Sequence, residues 1–322
     1  MSTSSLSSQD QPIRIIAGPC SIDHHNIDQV LEIAEMTVQN VHGNKQKAVS
    51  GTRIVGMKSR TNLNPEKEWI GLDYAAVMEN MNRLIEGHST HQFAPLPSAQ
   101  LTRKILEQTH LQVATEIIIP SIQLAGLAHS LHGINSNGRL MVWNPAVNQL
   151  GGQVLEMVGY AKKYGWKIGL KNGKWLGEEF ELVERADFTG QTSMEKTWVG
   201  LHSYAQGAQE VVLIHRGCDI PDKNNYRNVS VHFTASRAKQ ASSAPLLFDP
   251  SHIHGPNKRD SIVPETIAAM QLKMPNGSYL YDGVLIEVGT AKSDTAQHIS
   301  LPELQQLCNE LAIIRGIEAP TA

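Results

Sequence analysis

The run VVLIHR over residues 211–216 is a short, β-branched and almost continuously apolar stretch that ends in His-Arg. Such a run, without alternating polar residues, is typical of a strand buried on both faces, as in a parallel sheet covered by helices. The chain contains seven further runs of this kind: IRIIAG (13–18), TRIVGMK (52–58), QVATEIII (112–119), LMVW (140–143), KIGLK (167–171), PLLFD (245–249) and GVLIEV (283–288). The sequence therefore predicts eight strands.

Amphipathic segments separate these runs. In the last of them, Leu301, Leu304, Leu307 and Leu311 fall on one face of a helix. Eight strands alternating with helices predict an α/β protein built as a single (β/α)8 TIM barrel, and a doubly wound open sheet is the alternative. The connection over 62–97 is long, so we expect it to carry its own helix, at 73–87, followed by a flexible segment.

Composition bounds the domain organisation and the class of partner. A hydrophobic fraction of 41% and a charged fraction of 18%, without repeats or a linker, predict one barrel domain over 13–322 after a flexible tail over 1–12. A net charge of −3 without a basic cluster argues against nucleic acid and anionic membranes and favours small-molecule substrates. No apolar run spans a bilayer and no secretory signal is seen, so we expect a cytoplasmic protein with its three cysteines reduced.

Reactive residues concentrate where the predicted strands end, which is where TIM barrels place their active sites. One set offers a thiol, an imidazole and two carboxylates, a combination suited to a divalent Mn, Fe, Co or Zn ion: Cys20, His252, Glu287 and Asp294. A second set supplies cations for phosphorylated substrates: Arg53, Lys58, Arg60, Lys171 and Arg216. Of these, Arg53 has the least secure geometry, because it lies near the start of its predicted strand.

Each residue also has a purely structural interpretation. A single cysteine at a strand end is often a small buried apolar side chain, and Asp249-Pro-Ser-His252 is often a turn with a capping aspartate. The cations are equally compatible with solvation or with ion pairs to Glu116, Asp249 or Asp282. The co-occurrence of both sets at the same predicted end of the barrel favours a functional site.

Seven short motifs, in order, carry a family resemblance: AGPCS (17–21), KSRT (58–61), ATE (114–116), LKNG (170–173), HRG (215–217), DPSH (249–252) and LIEV with SDTAQ (285–297). Over residues 13 to 300 the chain resembles the class I 3-deoxy-D-arabino-heptulosonate 7-phosphate (DAHP) synthases and, more distantly, the 3-deoxy-manno-octulosonate 8-phosphate synthases. The resemblance implies a (β/α)8 barrel. It also implies a metal-dependent, aldol-type condensation of phosphoenolpyruvate with an aldose phosphate such as erythrose 4-phosphate, and a homo-oligomer, either a dimer or a tetramer.

The resemblance also implies roles for individual residues. Cys20, His252, Glu287 and Asp294 match the metal ligands; Arg53, Lys58, Lys171 and Arg216 match the phosphoenolpyruvate site; Arg60 and Thr61 match the aldose phosphate site. Cys20 and His252 are counted with the catalytic residues as metal ligands. Lys58, flanked by cations, is the candidate to carry a proton.

The chain departs from the family pattern on strand four. Asn144, Pro145 and Ala146 stand where the family usually has Gly-Ala-Arg, so a phosphate-binding cation is missing. Its loss predicts roughly ten- to hundredfold weaker donor binding. The leading hypothesis is a DAHP-synthase-like enzyme. The alternatives are an aldolase that uses a different 2-oxo acid or enol donor, and a non-catalytic relative.

Overall fold

The structure is a computed structural model, and it describes residues 11–40, 42–61, 67–146, 149–173, 190–221, 226–229, 231–290 and 296–319. Most of the predicted tail over 1–12 lies outside these residues, as does the predicted metal ligand Asp294. Within the described part of the chain, no helix combines the length and the apolar character that crossing a membrane requires.

The described residues form fourteen strands: β1 Arg14–Gly18, β2 Thr37–Gln39, β3 Lys45–Lys47, β4 Gly51–Arg53, β5 Lys58–Thr61, β6 Lys67–Ile70, β7 Gln112–Glu116, β8 Leu140–Trp143, β9 Lys167–Lys171, β10 Val211–His215, β11 Cys218–Pro221, β12 Tyr226–Val229, β13 Leu246–Phe248 and β14 Gly283–Glu287. Eight of them close a parallel barrel in the order β1-β14-β13-β10-β9-β8-β7-β4. This confirms the predicted (β/α)8 barrel and excludes the open sheet.

Helices alternate with the barrel strands: α1 Ile27–Glu35, α2 Tyr74–Ile85, α3 Pro97–Gln108, α4 Pro120–Ser130, α5 Gly151–Tyr164, α6 Ser193–Tyr204, α7 His232–Ser242, α8 Pro250–His254, α9 Ile262–Ala269 and α10 Leu301–Ile314, with 3-10 turns at Thr90–Gln92 and Pro256–Ser261. Helix α2 confirms the helix expected at 73–87. Helix α10 begins with a reciprocal capping box between Ser300 and Glu303, and buries Leu304, Leu307 and Leu311 as its periodicity predicts.

The second predicted strand is wrong in its extent. The barrel strand ends at Arg53, and Lys58 begins the antiparallel hairpin β5–β6, in which Lys58 pairs with Ile70. Ile54, Val55 and Met57 between the two strands are buried, so the apolar run continues while the strand does not. Arg53, which the sequence placed near a strand start, is therefore the last residue of a barrel strand.

Apolar side chains fill the barrel interior: Ile16, Val55, Ala114, Met141, Trp143, Val212, Ile214, Leu247 and Leu285. A second apolar layer lies between the strands and the surrounding helices. Gly18 allows the end of β1 to approach β4, because a Cβ atom there would lie 2.7 Å from the carbonyl oxygen of Arg53. The interior is thus a packed core, and polar chemistry is confined to the ends of the barrel.

The amino-terminal end of the barrel carries an ion-pair network. The Arg14 guanidinium lies 3.0 Å from the Glu210 carboxylate and 2.8 Å from that of Glu318, and the Lys167 ammonium lies 2.8 Å from Glu210. Burial alone would raise the pKa of Glu210, but Arg14 and Lys167 lower it below its ordinary value. The basic residues at this end are therefore paired within the protein.

Candidate active site at the carboxyl ends of the strands

The carboxyl ends of the barrel strands bring together ionisable side chains that are distant in sequence. The last residues of five strands are ionisable and buried: Arg53, Glu116, Lys171, His215 and Glu287. Buried side chains from the segments after β1 and β13 join them, namely Cys20, Asp249 and His252. Buried charges need partners or ligands, so the contacts within this group define what it can do.

The Lys58 ammonium lies among three of the predicted metal ligands. Its Nζ atom is 3.2 Å from Cys20 Sγ, 3.4 Å from His252 Nε2 and 3.8 Å from Glu287 Oε1. Lys58 is the first residue of hairpin β5–β6, which is a separate two-stranded sheet and not part of the barrel. A thiol, an imidazole and a carboxylate therefore converge on one cationic group.

His252 is oriented by Asp249, the N-cap residue of helix α8. The Asp249 carboxylate accepts a hydrogen bond from the backbone N–H of His252 at 3.2 Å, and His252 Nδ1 lies 2.8 Å from the same carboxylate. Nδ1 therefore donates, which turns Nε2 toward Lys58 as an acceptor or ligand. Burial raises the pKa of Asp249, but His252, Lys171 and Arg53 together lower it below its ordinary value, so this carboxylate is ionised. Burial lowers the pKa of His252.

Glu287 is held at both carboxylate oxygens. Gln297 donates a hydrogen bond to Oε2 at 2.8 Å, and Arg53 Nη2 lies 3.2 Å from Oε1 without hydrogen-bond geometry. Burial would raise the pKa of Glu287, but Arg53 and Lys58 lower it to about 2. Oε1 is thus an ionised oxygen with no hydrogen-bond partner among the described residues.

Arg53 is buried against an aromatic ring and has donors to spare. Its guanidinium lies 5.7 Å from the centre of the Trp143 ring, and neither Nε nor Nη1 has a hydrogen-bond partner in the described part of the chain. Burial lowers the pKa of Arg53, but the Glu287 carboxylate and other nearby acidic groups raise it above its ordinary value. A buried guanidinium with two unused N–H directions is suited to an anionic ligand.

Lys171 lies between two buried carboxylates and the Trp143 ring. Its Nζ atom is 3.5 Å from Glu116 Oε2, 3.8 Å from Asp249 Oδ2 and 5.2 Å from the centre of the Trp143 ring. The Trp143 indole N–H donates to the same Glu116 oxygen at 3.1 Å. Burial would raise the pKa of Glu116, but Lys171 and Lys58 lower it; burial lowers the pKa of Lys171.

His215, which precedes Arg216, belongs to a buried hydrogen-bonded chain of His215, Tyr281 and His232. The backbone N–H of Val231 donates to His215 Nε2 at 3.3 Å, so Nδ1 carries the proton and donates to the Tyr281 oxygen at 2.7 Å. The Tyr281 hydroxyl then donates to His232 Nδ1 at 2.6 Å. Burial lowers the pKa of His215 well below its ordinary value, so this histidine is neutral.

The structure brings together five of the sequence-predicted site residues through direct contacts: Cys20, Arg53, Lys58, His252 and Glu287. Lys171 joins them through Asp249, which contacts both Lys171 and His252. Arg216 follows β10 directly and is buried at the same end of the barrel. Arg60 and Thr61 lie on β5, but their side chains are outside the described part of the structure. Asp294 lies outside the described residues.

Sequence reasoning missed the roles of three residues in this site. The sequence indicates Asp249 only as a helix cap or as a partner for a cation, yet it caps α8 and also orients His252. No sequence pattern indicates a role for the Trp143 or Gln297 side chain. The spacing of an aspartate three residues before a histidine, across a proline at the helix start, was the one local signal for the first role.

The donor chemistry fits a first-row divalent metal. In the described part of the chain, no three His, Cys, Asp or Glu side chains form a closed metal site, and the Lys58 ammonium stands between the three that face it. Glu287 Oε1 is ionised and without a hydrogen bond, and His252 presents Nε2 with Nδ1 fixed by a carboxylate. A thiolate, an oriented imidazole and a carboxylate oxygen without a hydrogen bond are ligands that such metals take.

Comparisons with known proteins agree with this geometry. A family model described as the DAHP synthetase I family matches residues 2–314. The structure is similar to the crystal structure of a phospho-2-dehydro-3-deoxyheptonate aldolase (DAHP synthase) from Thermotoga maritima, with a TM-score of 0.62 and 19% sequence identity, covering 95% of this chain and 71% of that chain. No curated protein matches the chain. The structural match shows a shared fold, and the family match confirms the resemblance read from the motifs.

Proposed function

Because the chain belongs to the DAHP synthetase I family, we propose that it condenses phosphoenolpyruvate with erythrose 4-phosphate to give 3-deoxy-D-arabino-heptulosonate 7-phosphate and inorganic phosphate. Membership in this family makes the protein a transferase of the 3-deoxy-7-phosphoheptulonate synthase type. The observation that carries the choice of substrates is the contact of the Lys58 ammonium with Cys20 and His252, at the same end of the barrel as the buried cations Arg53 and Lys171.

The proposed metal site uses Cys20, His252 and Glu287, with Asp294 as the fourth ligand implied by the family resemblance. A divalent Mn, Fe, Co or Zn ion, when bound there, supplies a Lewis acid for the aldehyde carbonyl. Asp249 fixes the ring of His252 and keeps Nε2 available as the ligand atom.

The proposed donor site uses the cations around Trp143. The unused Nε and Nη1 atoms of Arg53 offer charge-assisted hydrogen bonds to a carboxylate or phosphate, and Lys171 and Arg216 add positive charge. Glu116 and the Trp143 ring both lie close to the Lys171 ammonium, at 3.5 Å and 5.2 Å, and help to hold it in place. Buried donors that are already in place lose little entropy when an anion binds.

The proposed chemistry forms one carbon–carbon bond and one carbon–oxygen bond and breaks one carbon–oxygen bond. C3 of phosphoenolpyruvate attacks the aldehyde carbon, water adds its oxygen at C2, and the C2–O bond to phosphate breaks to leave a ketone at C2. Of the two protons that water gives up, one balances the proton taken by the former aldehyde oxygen and the other leaves with the phosphate. Lys58 is the proton carrier, because its ammonium stands beside the metal ligands and is able to deliver a proton to the aldehyde oxygen as it becomes an alkoxide. Residues Arg60 and Thr61 on the same hairpin are proposed to hold the aldose phosphate.

A second candidate function keeps the fold and the metal but changes the donor. Strand β8 ends in Trp143 and is followed by Asn144, Pro145 and Ala146, without the arginine that the family usually has there. A donor with less negative charge than phosphoenolpyruvate, such as a 2-oxo acid, would need fewer cations. Such a donor is the candidate if phosphoenolpyruvate is not consumed.

The assembly and location are also proposals. We propose a homo-oligomer, a dimer or tetramer, in the cytoplasm. Three large exposed apolar side chains support an association between copies: the α5 N-cap residue Leu150 at 63% exposure, Leu155 on α5 at 53% and Tyr204 on α6 at 52%. Light scattering coupled to size exclusion measures the mass directly.

The test of the proposed reaction follows the ultraviolet absorbance of phosphoenolpyruvate. Metal-reconstituted protein is mixed with phosphoenolpyruvate and either erythrose 4-phosphate or arabinose 5-phosphate, with Cys20→Ala as the matched control. Absorbance loss with erythrose 4-phosphate that disappears in the control supports the proposal. No loss with either aldose, in protein shown to hold metal, rejects phosphoenolpyruvate as the donor.

A further inference from the structure

Two buried asparagines occupy equivalent places on neighbouring strands. Asn144 directly follows β8 and Asn172 directly follows β9, with exposures of 1% and 0%. The next strand in the barrel carries a candidate donor-binding cation at its carboxyl end. For Asn144 this cation is Lys171, the last residue of β9, and for Asn172 it is Arg216, directly after β10.

Each asparagine oxygen accepts a hydrogen bond from the backbone of the next cation. Asn144 Oδ1 accepts from the N–H of Lys171 at 3.0 Å, and Asn172 Oδ1 accepts from the N–H of Arg216 at 2.8 Å. Backbone pairing between β8 and β9 reaches only Trp143 with Gly169, and pairing between β9 and β10 reaches Ile214 with Lys171. The two side-chain oxygens thus continue the ladder beyond the last backbone pairs.

The other half of each carboxamide is also committed. Asn144 Nδ2 donates to the carbonyl of Pro145 at 3.2 Å. Asn172 Nδ2 donates to the carbonyls of Gly173 at 2.9 Å and Gly217 at 3.0 Å. Exchanging the oxygen and the nitrogen would set an NH2 group against a backbone N–H, so the network fixes both orientations.

We infer that Asn144 and Asn172 are positioning residues that set the place of Lys171 and Arg216 for the donor anion. The inference rests on the proposed function for the identity of that anion. A shift of the backbone at a strand end moves the charged group that it carries, and a displacement of about 1 Å in a positioned group costs up to about a hundredfold in rate. Strand β8 thereby contributes to the donor site through the backbone of its neighbour.

The first measurement tests the hydrogen bonds without any substrate. Amide hydrogen exchange is followed at Lys171 and Arg216 in the full-length protein and in Asn144→Ala and Asn172→Ala. Exchange is expected to accelerate at Lys171 in the first variant and at Arg216 in the second. Unchanged exchange at both amides would overturn the inference, because neither oxygen would then be holding its target.

The second measurement separates positioning from stability. Asn80→Ala is the matched control, because Asn80 is equally buried and makes the same two-way clamp with the backbone of Ala94, at 2.9 and 2.7 Å, on the outer helix α2. The two site variants are expected to raise the KM for phosphoenolpyruvate roughly tenfold and to leave the aldose KM unchanged. The control is expected to lower the melting temperature by a similar amount with neither KM altered.

Accelerated exchange with an unchanged donor KM would overturn the inference, since the asparagines would then be structural only. If the wild-type protein consumes no phosphoenolpyruvate, the proposed function fails, and calorimetry with inorganic phosphate replaces the KM. Weaker phosphate binding in the site variants than in Asn80→Ala still supports positioning, and equal or absent binding overturns it. Should an alanine variant fail to fold, Asn144→Ser and Asn172→Ser replace it: the shorter side chain is expected not to reach the amide, so exchange accelerates, and unchanged exchange would overturn the inference.

Discussion

The Asp249 carboxylate contacts two nitrogen atoms of His252. It accepts a hydrogen bond from the His252 backbone N–H at 3.2 Å, and it lies 2.8 Å from Nδ1 of the His252 ring. One carboxylate therefore starts helix α8 and selects the tautomer of the imidazole. We propose, from the family resemblance, that His252 is a metal ligand, and Asp249 is the residue that orients its ring. The two residues lie within one helical turn, so their relative geometry is fixed locally.

Asp249→Asn is expected to weaken metal binding about 10- to 100-fold, because an amide does not enforce the same imidazole tautomer. Competition with a chromogenic chelator measures the dissociation constant. Asp73→Asn is the control, since Asp73 is also a buried N-cap residue but accepts from Ser98 instead of a histidine. Equal metal affinity in the two variants would contradict the orienting role of Asp249.

Arg53→Lys is expected to raise the donor KM about ten- to hundredfold. The guanidinium uses Nη2 on Glu287 and keeps two further nitrogen atoms for an anion, whereas an ammonium has one nitrogen for both tasks. Steady-state kinetics at saturating aldose measures the change. Arg103→Lys on the outer helix α3 serves as the control, and a normal donor KM in Arg53→Lys would remove Arg53 from the donor site.

His215 is expected to make the protein less stable as the pH falls below about 6.5, the ordinary histidine pKa. Burial lowers the pKa of His215 in the folded state, so the unfolded chain binds the proton more readily and stability is lost toward acid. Its contribution to the slope of unfolding free energy is at most about 1.4 kcal/mol per pH unit.

Urea unfolding at several pH values between 8 and 5 measures that slope. His215→Phe is expected to flatten it, whatever the absolute stability of the variant, while substitution of the exposed His88 leaves it unchanged. A slope in His215→Phe as steep as in the wild type would show that other groups carry the acid sensitivity.

Glu210→Gln is expected to lower the unfolding free energy by about 1–3 kcal/mol, because it leaves Arg14 and Lys167 without their shared carboxylate at the amino-terminal end of the barrel. The kinetic constants are expected to stay at wild-type values, since this network lies at the end opposite to the candidate active site. Chemical unfolding measures the expected loss of stability, and the phosphoenolpyruvate assay measures whether the kinetic constants are unchanged. Lost activity at unchanged stability would refute the separation of the two ends.

The sequence predicts the barrel well where apolar runs coincide with single strands. The runs LMVW and KIGLK have the bounds of β8 and β9, and each is followed directly by an asparagine, a residue depleted in strands. The run TRIVGMK fails because burial continues through Ile54, Val55 and Met57 while the backbone leaves the barrel. The hydrophobic pattern indicates which residues are buried, but it does not show with which strand each segment pairs. It therefore cannot distinguish β4, which pairs within the barrel, from β5, which pairs with β6.

The candidate site was predictable in part for a related reason. A cysteine, histidine or arginine at a strand end is visible in the sequence, and the barrel rule places all of them at one mouth. The contact of Trp143 with Glu116, and of Gln297 with Glu287, joins segments whose side-chain directions no local pattern determines. These supporting contacts can be identified only in the folded structure.

Closure of the barrel also sets the order in which this site comes into being. Gly18 of β1 pairs with Glu287 of β14, so the cysteine just after the first strand meets the carboxylate of the last strand only once the ring is complete. A ribosome-bound chain that lacks β14 has no such neighbour for Cys20. If Cys20, His252 and Glu287 hold a metal as proposed, the protein retains that metal only after the ring has closed, so metal retention would report the last step of barrel formation.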